Sequence, residues 1–111
     1  MKKYLILYVS PKSAAERMTT PTPEQVKGMM DAWFAWKNKV GSALVDFGNP
    51  TGHTGTVPAG ASMLGEGKIG GFSILQAEST AVVEGLIKDH PFLAMPGSSI
   101  EVLEYLPMPG M

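Results

Sequence analysis

Two histidines, His53 and His90, are the side chains of this chain best suited to move a proton near neutral pH, and no cysteine accompanies them. The lack of cysteine removes thiolate nucleophiles, disulfides and sulfur-ligated metals together. Two histidines without a recognised ligand spacing also make a poor metal site. His90 stands in Asp89-His90-Pro91-Phe92, where an apolar run with helical spacing must stop. An imidazole there suits acid–base work, because the helix dipole favours its cation. It equally suits a cap bonded to the last helical carbonyls. Asp89 cannot serve as its partner, since adjacent residues on a helix do not face each other. A carboxylate from elsewhere in the chain, such as Asp46, would have to approach. Asp46 has two readings of its own: a carboxylate held in a cleft, or a charge that keeps an edge strand from pairing further. His53, inside Thr51-Gly52-His53-Thr54-Gly55, reads as part of a lid over a ligand or as a solvated loop residue.

The elements that position these groups can be read in order. Tyr4 to Val9 is β-branched and aromatic without a helical period and stops at Ser10-Pro11, which predicts a strand apolar on both faces: Tyr4, Ile6 and Tyr8 on one, Leu5, Leu7 and Val9 on the other. Thr22-Pro23-Glu24-Gln25 is a helix start with a capping box, and the helix runs to about Val40 with Gly41 as terminator. Its stripe of Val26, Met29, Met30, Trp33, Trp36 and Val40 follows the three-and-four spacing of one helical face. At that spacing these side chains form core, while Met29, Trp33, Phe34 and Trp36, joined by Phe72 of the third strand, are the candidates for an apolar pocket; Phe34 and Trp36 lie at the edges of the stripe.

Ala43 to Phe47 is a short second strand, on which alternation sets Asp46 on the face of Leu44. Gly48 to Lys68 follows as a glycine-rich loop, long enough to be a binding loop or lid. Gly71 to Ala77 reads as a third strand. A second helix runs from about Thr80 to Asp89, capped by Ser79 or Thr80, with Val83, Leu86, Ile87 and His90 on its inner stripe. Ile100 to Tyr105 makes a fourth strand, and residues 106–111 form a tail.

The order β-α-β-β-α-β is that of a ferredoxin-like unit, a four-stranded antiparallel sheet with both helices on one face. A bare second face that is apolar implies a second sheet stacked on it, and the simplest closed solution is a symmetric homodimer. A length of 111 residues fits a single domain over 1–111. A composition 44% hydrophobic and 17% charged is that of a folded globular chain. The net charge of −1 and the scattered basic residues argue against a nucleic-acid partner. The six-residue apolar run of Tyr4 to Val9 is shorter than the roughly 7 to 15 residues of a secretory signal core and far below the roughly 18 to 20 of a membrane span. With no cysteine, the expectation is a cytoplasmic protein that does not engage a membrane. The glycines fit neither a Walker loop nor a strand-to-helix GxGxxG turn, and no cofactor is implied.

The pieces Lys3-Tyr4-Leu5-Ile6-Leu7-Tyr8, Trp33 to Gly41, Gly70-Gly71-Phe72-Ser73-Ile74, His90-Pro91-Phe92, and Gly97 with Ile100-Glu101-Val102, taken in this order, resemble the YCII-related family, also called YciI-like and grouped with the DGPF-domain proteins. The resemblance spans nearly the whole chain. It implies a dimeric α+β barrel with a cleft between sheet and helices, a fold shared by several enzymes. It also implies a histidine near the start of the first helix paired with an aspartate, but residues 22–30 here contain no histidine, and Gln25 or its neighbours stand there. His90-Pro91 occupies the place of an Asp-Pro, and the literal Asp-Gly-Pro-Phe motif is absent.

Together these readings point to a YCII-like protein that binds a small, largely apolar organic molecule in a sheet–helix cleft roofed by the Gly48 to Lys68 loop. Cofactor-independent proton transfer or hydrolysis by His90, helped by Asp46 or His53, is the chemistry the residues allow. The alternative is a non-catalytic dimeric module serving interaction or regulation.

Overall fold

The first strand already separates the two sides of the molecule. In the computed structural model, which describes residues 1–11, 21–61 and 68–110, β1 (Lys2–Val9) buries Tyr4, Ile6 and Tyr8 almost completely, whereas Leu5, Leu7 and Val9 are only half-buried. Strand alternation puts these two sets on opposite faces. The buried set meets Trp36 and Val40 of helix α1 (Pro23–Val40), Leu75 and Ala77 of β3 (Ile69–Ala77), and Val83 and Ile87 of helix α2 (Thr80–Ile87). Each such side chain contributes about 1.5 to 3 kcal/mol on leaving water. Both helices therefore lie on the Tyr4 face.

The sheet is antiparallel in the order β2-β3-β1-β4, with β2 at Leu44–Asp46 and β4 at Ser99–Glu104. Leu5 stands opposite both Ile74 and Leu103, and Ile6 opposite both Ser73 and Val102. The outer row of Leu5, Leu7, Ile74 and Leu103 is thus continuous across three strands, and Leu103 keeps 44% of its surface exposed. This is the α+β, ferredoxin-like arrangement.

Helix α1 begins as its sequence dictates. Thr22 Oγ1 accepts the Gln25 backbone N–H at 3.2 Å and Gln25 Oε1 accepts that of Thr22 at 2.8 Å, while Gly41 ends the helix at φ 55°. Other boundaries differ from expectation. A 3₁₀ turn at Gly41–Ala43 shortens β2. The predicted Asp46 position is also corrected: a register shift between Leu44 and Asp46 sets Asp46 opposite Ile74, in the outer row rather than on Leu44's face. Helix α2 ends at Ile87, because Pro91 holds His90 in an extended conformation (φ −62°, ψ 136°) and a second 3₁₀ turn, Pro91–Ala94, follows.

The glycine-rich loop is not free of the sheet at its start. Pro50 bridges to Gly71, Thr51 N–H donates to the Gly70 carbonyl and Phe72 N–H to that of Asn49. Gly48 adopts φ 78° there, and a Cβ at that position would overlap the Phe72 carbonyl. Residues 48–51 therefore wall the sheet's edge instead of roofing the cleft; residues 62–67 of the expected roof lie outside the described residues.

Candidate functional site

The inner row of β3 reads Gly71, Ser73, Leu75, Ala77, so from Leu75 its side chains shrink towards Gly71, which faces Tyr8. Beneath the first half of α1 this leaves a cavity of about 420 Å³. Tyr8, Gly71 and Phe92 form its floor, with Val26, Met29, Met30 and Trp33 of α1 above. Phe47, Gly48, Asn49 and Pro50 close one side, and Pro21, Gly70 and Phe72 complete the lining. A Cβ on Gly71 would stand 3.0 Å from the Asn49 carbonyl oxygen and 3.4 Å from Pro50 Cα, so the missing side chain is what keeps residues 49–50 close and the space open. Val26, Met29 and Met30 are each more than 40% exposed and mark the mouth.

Behind this floor runs a chain of hydrogen bonds whose direction is fixed at both ends. The Phe92 backbone N–H can only donate, and it meets His90 Nδ1 at 3.0 Å. Nδ1 therefore accepts, and the neutral imidazole carries its proton on Nε2. Nε2 lies 3.2 Å from Tyr8 Oη, to which it donates. At the far end the Phe47 carbonyl can only accept, so the Ser73 hydroxyl donates to it at 2.7 Å and itself accepts from Tyr8 Oη at 2.8 Å. Every proton in the series is accounted for.

His90 is 2% exposed and packed between Trp33 and Trp36, with ring centroids 4.4 and 4.3 Å away. Burial lowers its pKa to about 4 and raises that of Tyr8 to about 12, the latter in spite of the Ser73 bond, which pulls the other way. The helix dipole that was expected to favour an imidazolium is thus outweighed by desolvation, and the ring caps the following 3₁₀ turn rather than the carbonyls of α2. Both groups are neutral at physiological pH.

The other sequence-derived candidates fall in different places. Asp46 is exposed at the end of β2, where its Oδ1 accepts the Gly48 N–H at 2.8 Å. His53 is exposed and bonded to Thr56 Oγ1 at 3.0 Å. Neither lines the cavity, and neither meets His90. Met29, Trp33 and Phe72 do line it. Trp36 instead belongs to the core, where its indole N–H donates to the Leu86 carbonyl at 2.9 Å and ties α1 to α2. Phe34 is 45% exposed and leans on Phe47 from outside. Tyr8 and Ser73 are the participants that sequence reasoning missed; the signal available was a polar atom on each of two inner rows, which burial obliges to find a partner. Among the described residues no group of three His, Asp or Glu could hold a metal ion, and no helix is long and apolar enough to cross a membrane.

No protein-family model and no curated protein matches the chain. Among solved structures it is similar to the 5-chloro-2-hydroxyhydroquinone dehydrochlorinase TftG of Burkholderia phenoliruptrix AC1100, in a complex with 2,5-dihydroxybenzoquinone, at 21% identity over 89% of this chain and 90% of that one, with a TM-score of 0.51. At that identity the likeness is one of fold, and it agrees with the strand order and the placement of the two helices in giving the chain an α+β, ferredoxin-like fold.

Proposed function

We propose that the chain is a cytoplasmic, YCII-like homodimer that binds a small, largely apolar molecule in the cavity under α1. The observation that carries this reading is the space left at Gly71, floored by aromatic rings and open to solvent between half-exposed apolar side chains. Its volume lies near the lower end of the roughly 300 to 1,000 Å³ typical of small-molecule sites, which suits a ligand of one or two rings. The fold neighbour's complex with 2,5-dihydroxybenzoquinone, a single small ring, is in keeping with that size.

Binding fits the geometry better than proton transfer. Both nitrogens of His90 are engaged, its lone pair on Nδ1 is held by Phe92, and Asp46 and His53 stand away from it. The dimer reading rests on the outer row of Leu5, Leu7, Ile74 and Leu103, which no described element covers.

The test is amide NMR with a library of small aromatic fragments. Shifts are expected at Gly70, Gly71, Asn49 and the Trp33 indole, and they should vanish in Val26→Trp, a substitution at a half-exposed mouth position that plugs the cavity. Shifts confined to the outer sheet face, or unaltered by Val26→Trp, would remove the cavity as the site.

A further inference from the structure

We infer that the cavity selects the uncharged form of a weakly acidic aromatic ligand, a phenol rather than its phenolate. This deepens the reading above and rests on it. None of the lining side chains among the described residues is charged, and the polar groups they carry are the Tyr8 hydroxyl, the Asn49 amide and the Trp33 indole N–H, all neutral. Tyr8 cannot welcome an anion, because its hydroxyl proton is already given to Ser73 and its oxygen already receives the proton of His90 Nε2. Asn49 is exposed at the edge of the site, so a ligand's neutral hydroxyl can meet an amide there while its ring lies over Tyr8 and Trp33.

The charges near the cavity among the described residues do not change this. Asp46, whose carboxylate holds the Gly48 N–H, sets a negative charge beside the cavity wall. Lys37 Nζ is 5.3 Å from the centroid of the Phe47 ring and is not part of the lining. His90, the remaining titratable group packed against Tyr8, is neutral. An ionised oxygen set against this lining would give up part of its water and meet no countercharge among the described residues, a cost that burying an unpaired ion carries.

The two groups of the hydrogen-bonded floor do not titrate within the range measured, since Tyr8 ionises at about 12 and His90 at about 4. Para-nitrophenol, which ionises near neutral pH, and nitrobenzene, which does not ionise, are the probes. Binding is read from the Gly71 amide and the Trp33 indole by NMR between mildly acid and mildly alkaline pH. Nitrobenzene affinity should be flat across this range. That of para-nitrophenol should fall about tenfold for each pH unit above its own pKa, because only the neutral form is taken.

Met30→Lys adds a cation at a mouth position 43% exposed, where the fold tolerates it, and should largely abolish that fall. Equal affinity for phenol and phenolate in the unmodified protein, with nitrobenzene bound, overturns the selectivity and leaves the binding site intact. A failure of both probes to perturb the cavity overturns the binding reading and this inference together.

Discussion

Acid should weaken this fold through one imidazole, and substituting His90 with Asn isolates the effect. His90 is buried neutral with its pKa lowered from 6.5 to about 4 by desolvation. As pH falls below 6.5, the unfolded chain takes up a proton on this residue and the native state does not, so stability is lost progressively until the native imidazole also protonates near pH 4. At about 1.36 kcal/mol per pKa unit, the full loss is about 3 kcal/mol, most of it spent by about pH 4.5. Protonating Nδ1 also breaks its bond from the Phe92 N–H, which frees the Pro91–Ala94 turn.

The informative quantity is the difference between wild type and His90→Asn, in which everything the two chains share cancels. Asn is a good N-cap and can keep the bond from Phe92 without titrating. Urea unfolding at about pH 7 and about pH 4.5 should show a loss in the wild type larger by about 2 to 3 kcal/mol than in the variant. Histidine NMR titration supplies the direct check, with His53→Ala assigning the two imidazoles. Parallel pH profiles, or a His90 midpoint at the ordinary histidine value, would refute the burial argument.

Two further outcomes follow from other parts of the molecule. The Tyr4 hydroxyl is the buried side-chain polar atom that has no partner among the described residues, so Tyr4→Phe should raise stability by about 1 kcal/mol in urea unfolding, and a loss would mean that the hydroxyl is satisfied in solution. If the outer sheet row is a dimer interface, light scattering should report twice the chain mass for the wild type and a folded monomer for Leu7→Lys; a wild type that is monomeric at micromolar concentration removes the dimer.

What was legible in the sequence was local. The capping box of α1 needs only Thr22 and Gln25, three residues apart, and appears as written. The inward side of His90 followed from its spacing to Val83, Leu86 and Ile87, and the stop at Pro91 from proline's own geometry. What was hidden depends on register. Tyr8 meets Ser73 and His90 across 65 and 82 residues of chain, and nothing in the neighbourhood of any of the three announces the others. The same limit explains Trp36 and Phe34. Helical periodicity places both at the margin of a stripe, but the Leu86 carbonyl on α2 decides that Trp36 turns inward, and the close approach of residues 47–50 to β3 decides that the cavity opens towards Val26, Met29 and Met30 instead.

The hydrogen-bond chain also says what kind of cavity this is. It joins the turn after α2, strand β1, strand β3 and the end of β2 through atoms that each have one remaining role. Reversing any member strands a buried donor against a donor, which costs more than the bond itself contributes, so the floor holds a single arrangement before a ligand arrives. A floor fixed in advance reduces the ordering cost of binding and favours a rigid, flat ligand. The mouth is built on the opposite principle: Met29 and Met30 are unbranched, polarizable and half in water, and can re-pack around whatever projects from the cavity. Selectivity should therefore be strict for the ring that contacts Tyr8 and Trp33 and lax for substituents that reach the methionines. A ligand series varied separately at its two ends would expose that asymmetry as steep affinity losses at one end and shallow ones at the other.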